Sequence, residues 1–122
     1  MFQVLVVDDD ADILNIVELS LTLTGQLVTT LARDAETADA AVNAQDFDLI
    51  ILDVLMPSCS GPELLAQWRD ACIELPPVVF FTARNQKHEI AELMRLEVAA
   101  IISKPFSPVE LGPQVLALLQ TA

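Results

Sequence analysis

The chain has 122 residues, of which 53% are hydrophobic and 20% charged, and it carries a formal net charge of −12. That length accommodates one hydrophobic core and one domain, residues 1–122, and the composition argues against disorder. So acidic a surface repels nucleic acid phosphates and anionic membranes, which argues against direct nucleic acid binding.

The first apolar run, Val4–Val7, predicts a strand, and Asp8 and Asp9 follow it at once. With neither a basic region nor a long apolar one ahead of them, a signal peptide is not expected. Ile13, Ile16 and Val17 have helical spacing, and Gly25 is placed to end that helix. Leu27–Leu31 predicts the second strand, and Asp34 an N-cap for the alanine-rich helix from Ala35 to Ala44. The third strand, Leu49–Leu52, runs straight into Asp53. Ser60 and Glu63 have capping-box spacing around Pro62, ahead of a helix with Leu64, Leu65 and Trp68 on its core face. Val78–Phe81 predicts the fourth strand, Ile90, Leu93 and Met94 the fourth helix, and Ala99–Ile102 the fifth strand. Ser107 and Glu110 repeat the capping spacing around Pro108. Gly112-Pro113 then interrupts the last helical pattern, because proline removes a backbone donor; the helix is either kinked there or begins near Pro113.

Four of the five strands are near-continuous apolar runs, as in a parallel sheet covered by helices on both faces. The alternation of strand and helix implies right-handed crossovers and an open, doubly wound α/β sheet. In such sheets ligands bind beyond the carboxyl ends of the strands. No apolar run approaches the roughly 18 residues a membrane helix needs. Two cysteines, Cys59 and Cys72, do not form a secreted disulfide framework, so reduced thiols and a cytoplasmic location are expected.

Asp8 and Asp9 follow the first strand, Asp53 the third, Thr82 the fourth and Lys104 the fifth. In a parallel sheet all five emerge at one edge. Two carboxylates about 4 Å apart repel by roughly 4 kcal/mol at an effective dielectric near 20, so three need a cation or shared protons. Hard oxygen ligands of this kind suit magnesium. Lys104 can pair with Asp53 at rest and with a phosphoryl oxygen afterwards, and the Thr82 hydroxyl can donate to another. An aspartate nucleophile, a metal and a lysine make an acyl-phosphate site.

Val6-Val7-Asp8-Asp9, Leu52-Asp53-Val54-Leu55-Met56-Pro57 with Gly61, Phe81-Thr82-Ala83 and Ser103-Lys104-Pro105-Phe106 resemble, in order and spacing, the signature blocks of bacterial response-regulator receivers. The resemblance runs from about residue 3 to 120 and implies a flavodoxin-like (βα)5 sheet with strand order 2-1-3-4-5. It implies that Asp53 is phosphorylated by a phosphohistidine on a sensor histidine kinase or phosphotransfer protein. Asp9 and Asp53 would ligate Mg2+ directly, Asp8 through water, and the main-chain carbonyl of Leu55 would complete the protein ligands. Thr82 and Lys104 would hold the phosphoryl oxygens, with the Lys104–Pro105 bond cis. The chain would be a switch that acts on a downstream effector rather than an enzyme with a separate substrate. Partner or homodimer contacts would fall on the fourth helix, fifth strand and fifth helix, where Lys87 and Arg95 add positive charge.

Three places depart from the family pattern. Ile101 stands where receivers often carry Tyr or Phe as a rotamer switch. Glu97 stands where Gly often closes the fourth helix, so a turn of positive φ there is strained. Leu55 and Arg84 occupy positions that tune how fast the phosphoryl group is lost. Among other functions, a magnesium-dependent phosphohydrolase wants a second acid where Leu55 stands. A nucleotide or flavin binder wants a glycine-rich loop that Gly25, Gly61 and Gly112 do not form. The intact acids, Thr82 and Lys104 argue against a degenerate receiver used only as a scaffold, a reading that Ile101 keeps open. His88 reads as solvated surface, Trp68 as core, and Cys59 as a spectator thiol.

Overall fold

The computed structural model describes residues 1–83 and 86–121. Strands β1 (Phe2–Val7), β2 (Leu27–Ala32), β3 (Leu49–Asp53), β4 (Val78–Thr82) and β5 (Ala100–Ser103) alternate with helices α1 (Ala11–Thr22), α2 (Ala35–Ala44), α3 (Gly61–Asp70), α4 (Lys87–Met94) and α5 (Pro108–Thr121). The strands are all parallel, in the order β2-β1-β3-β4-β5. This is the flavodoxin-like arrangement that the strand pattern and the signature blocks imply.

The apolar runs are continuous because both sheet faces are covered. Alternate side chains point to opposite faces of a strand. Val4, Val6, Leu49, Ile51, Val79 and Phe81 pack on one side with Leu14, Val17 and Leu21 of α1 and Leu111 and Val115 of α5. Leu5, Val7, Ile50, Leu52 and Phe80 pack on the other with Ala38 of α2 and Leu64, Leu65 and Trp68 of α3. Trp68 is buried as expected, and its indole N–H donates to Asp39 of α2 at 3.0 Å, which satisfies the one polar group that burial would otherwise strand.

The caps follow local chemistry. Asp10 accepts from the N–H groups of Asp12 and Ile13, Asp34 from Thr37, and Ser60 and Glu63 form the complete reciprocal box. Two expected core positions are corrected. Ile16 is 42% exposed and Met94 45% exposed, so Leu14, Val17 and Leu21 carry the inward face of α1, and α4 contributes no buried residue.

Helix α5 starts at Pro108 and runs through Pro113, so a start near Pro113 is ruled out. Ser20 of α1 braces the turn before the proline. Its hydroxyl donates to the Pro108 carbonyl and accepts from the Gly112 N–H at 3.1 Å, bridging backbone groups one turn apart just ahead of the proline. Gly112 is what lets the helices approach: a Cβ there would lie 2.6 Å from the Ser20 carbonyl oxygen. The turn after α4 does take Glu97 to φ 59°, and Cys72 after α3 sits similarly at φ 57°. Among the described residues no helix is long and apolar enough to cross a membrane.

Candidate functional site

The register brings the strand ends level. Val7 lies beside Ala32 and Leu52, Asp53 beside Phe81, and Thr82 beside Ser103. Residues at and just past those ends line one cleft of about 220 Å³: Asp8, Asp9, Asp10, Ile13, Asp53, Leu55, Thr82, Ala83 and Lys104. Every residue singled out in the sequence for this site, Asp8, Asp9, Asp53, Leu55, Thr82 and Lys104, is therefore in it.

Backbone contacts hold the pieces in place. The Asp8 N–H donates to the Ala32 carbonyl at 3.1 Å, and the Lys104 N–H to the Thr82 carbonyl at 2.7 Å. The Lys104–Pro105 peptide is cis, and the Phe106 ring beyond it stacks on Phe81 with centroids 5.2 Å apart. The loop after Asp53 folds back through Gly61, whose N–H donates to Val54 at 2.9 Å. A Cβ on Gly61 would collide with the Asp53 carbonyl oxygen, so this signature position has room for glycine alone.

Asp8 is fully buried, Asp53 is 4% exposed and Thr82 1%, whereas Asp9 lies at the open side. Lys104 Nζ lies 2.8 Å from Asp8 Oδ2 and 3.1 Å from Asp53 Oδ1, and the other Asp8 oxygen accepts from the Asp10 N–H at 2.9 Å. Burial pushes the Asp53 carboxyl up to about 6, and the Asp8 charge adds to this, while the bond to Lys104 opposes it. Desolvation pulls the Lys104 ammonium down, but its bonds to Asp8 and Asp53 outweigh that and raise it overall. Asp8, Asp9 and Asp53 each offer a carboxylate oxygen within 4.8 Å of the others. One ammonium facing three carboxylates leaves negative charge in excess, and hard oxygen donors with residual negative charge fit a small divalent cation.

A response regulator receiver domain model matches residues 4–115. The chain belongs to the response regulator receiver family. It is 33% identical over 111 residues to the response regulator SaeR of Staphylococcus epidermidis, covering 91% of this chain and 47% of that protein. With SaeR of Staphylococcus aureus it shares 30% over 119 residues, covering 98% and 51%. The chain thus spans about half the length of these curated relatives. Among solved structures it resembles the receiver domain of Francisella response regulator 1452, with TM-score 0.89 and 30% identity over 99% of this chain and 98% of that one. It is also similar to the chemotaxis response regulator CheY4 of Vibrio cholerae, with TM-score 0.85 and 28% identity over 97% and 98%.

Two features of this receiver were not singled out in the sequence. Arg69 of α3 donates to the carbonyls of Leu96 and Glu97, tying down the left-handed turn, and a lone arginine in a helix gives no hint of that reach. Glu89 lies behind Thr82, lining a second cavity with it, although its sequence context reads as plain helix surface. Arg84 lies outside the described residues. His88 is exposed as expected, and burial together with the Glu63 charge pushes the Cys59 thiol up, away from the reactive thiolate.

Proposed function

We propose that residues 1–122 act as one receiver in which Asp53 accepts a phosphoryl group from a phosphohistidine on a sensor kinase or phosphotransfer protein. The observation that carries this is the Asp53 carboxylate, nearly buried in a three-carboxylate cleft and 3.1 Å from Lys104 Nζ. An Asp53 oxygen attacks phosphorus as the phosphorus–nitrogen bond to the histidine breaks, and the electron pair leaves with the imidazole. A carboxyl that titrates near 6 is mostly ionised at pH 7 and so able to attack. Lys104 then turns from the Asp53 oxygen to a phosphoryl oxygen, and the Thr82 hydroxyl donates to another. Asp8, Asp9, Asp53 and the Leu55 carbonyl would hold Mg2+, which when bound offsets the like charge of donor and acceptor.

The output in this reading is a change in what the chain binds, and its setting is cytoplasmic. The fourth helix, fifth strand and fifth helix suit an effector or a second copy. β5 is an edge strand, and with α5 it walls an open groove that includes Ile101, Ile102, Phe106, Gln114 and Leu118. Lys87 and Arg95 are exposed at the two ends of α4. Incubation with acetyl phosphate and Mg2+ tests the reading: the intact mass should rise by one phosphoryl group. No adduct in the parent chain, or an undiminished one on Asp53→Asn, overturns it.

A further inference from the structure

A phosphoryl group at Asp53 must be read at the surface, and Ile101 has no ring to swing. Thr82, which lines the phosphoacceptor cleft, also lines a cavity of about 180 Å³ behind it, together with Val54, Glu89, Glu92 and Leu93. Glu89 is the third residue of α4. One of its oxygens, Oε1, faces outward, 3.9 Å from Nε2 of the exposed His88. The other, Oε2, is sealed from solvent and has no hydrogen-bond partner among the described residues.

A buried carboxylate oxygen without a donor is unfavourable, and such a group is kept in place only by its surroundings. Its surroundings here are weak. α4 buries none of its residues, and Gln86 at its N-cap makes no side-chain cap bond. A helix so lightly held is drawn from the low-stability end of a fold and moves readily.

We propose that Glu89 is the positioning residue that couples phosphorylation to movement of α4, an inference that rests on Asp53 being the acceptor. Replacing the Asp53 carboxylate by an acyl phosphate adds negative charge on the far side of the Thr82 wall. It also commits the Thr82 hydroxyl proton to a phosphoryl oxygen. The added charge disfavours a carboxylate oxygen on the near side, where little water screens it. Glu89 turns out to solvent, and the first turn of α4 moves with it. A carboxylate that is expelled takes over the role for which Ile101 lacks a ring.

Amide chemical shifts of the full chain, with and without beryllofluoride and Mg2+ as the phosphoryl mimic, test this. In the parent protein, shifts at Asp53, Thr82 and Lys104 should be accompanied by shifts across Lys87–Met94. Glu89→Gln should keep the former and reduce the latter at least about twofold, because a neutral amide has no charge to expel. Glu92→Gln removes the same charge from the same cavity at an exposed side chain, and should leave the α4 shifts at parental size. Parental α4 shifts in Glu89→Gln, or an equal loss in Glu92→Gln, overturn the role of Glu89. A parent protein whose Asp53, Thr82 and Lys104 do not respond overturns the phosphoacceptor reading, and the inference falls with it.

Discussion

Lys104 and Asp53 meet at 3.1 Å, and the same ammonium lies 2.8 Å from Asp8, so one cation offsets two buried carboxylates carried by the neighbouring strands β1 and β3. Removing it leaves the Asp53 carboxylate and the Lys104-facing oxygen of Asp8 without their cation, while Asp8 keeps its bond from the Asp10 N–H. Lys104→Ala should cost about 2–4 kcal/mol at pH 7 in metal-free buffer. Because the lysine pKa is raised, its contribution is intact at neutral pH and fades only above the ordinary lysine range. Acidification below pH 6 should recover part of the loss as Asp53 protonates. Denaturant midpoints at pH 5 and 7 measure both effects. The variant should still accept a phosphoryl group while its conformational response is lost.

Asp53→Asn should be more stable than the parent at neutral pH. With the carboxyl raised to about 6, the folded chain holds a proton between roughly pH 4 and 6 that the unfolded chain has released. Parent stability therefore falls as pH rises through that window. The amide has nothing to ionise and can still accept from Lys104. Its advantage should be about 1–3 kcal/mol above pH 6 and vanish near pH 4. An advantage that does not depend on pH would mean that burial of the Asp53 charge is not its source.

Ser20→Ala should cost about 1–2 kcal/mol, because it strands the Gly112 N–H and the Pro108 carbonyl in the buried seam between α1 and α5. Thermal unfolding measured against Ser20→Thr and the parent separates loss of the hydroxyl from loss of packing. The expected order of stability places Ser20→Ala below the parent.

Glu97→Gly should stabilise the chain by about 0.5–1 kcal/mol. A non-glycine residue in the left-handed region costs roughly 1–2 kcal/mol, and the extra freedom of glycine in the unfolded chain returns part of it. The side chain is exposed, and the Arg69 bond goes to the main-chain carbonyl, so that bond is kept. A urea midpoint unchanged or lower in Glu97→Gly would show that the turn carries no strain.

What could be read in the sequence was local. Asp8, Asp53, Thr82 and Lys104 each follow an apolar run, and in a parallel sheet that alone sends them to one edge. Glu97 was readable too, as a side chain where a turn wants glycine. The phase of α1 was not, because Ile13, Leu14, Ile16 and Val17 are all apolar and fit two helical faces; docking against α5 chooses Leu14 and leaves Ile16 at the surface. Pro113 posed a conflict, and the hydroxyl that braces the turn before it comes from Ser20, far off in the chain. The sealed oxygen of Glu89 depends on how α4 lies over Thr82, which no spacing in an eight-residue helix reveals.

The excess negative charge of the cleft yields the last prediction. Asp8, Asp9 and Asp53 face a single ammonium, so a divalent cation should bind the folded chain and not the unfolded one. Unfolding temperature should then rise with Mg2+ concentration, the stabilisation reaching about 2.7 kcal/mol at a hundred times the dissociation constant. Sodium at matched ionic strength should give little of this, since screening alone does not fill a site. Asp9 lies at the open side of the cleft and is exposed, so Asp9→Ala removes a ligand without opening the core. That variant should keep the parental stability in chelator, lose most of the Mg2+ response, and accept phosphoryl groups from acetyl phosphate more slowly. A parental Mg2+ response in Asp9→Ala would remove Asp9 from the ligand set, and an absent response in the parent would remove the cation from the mechanism.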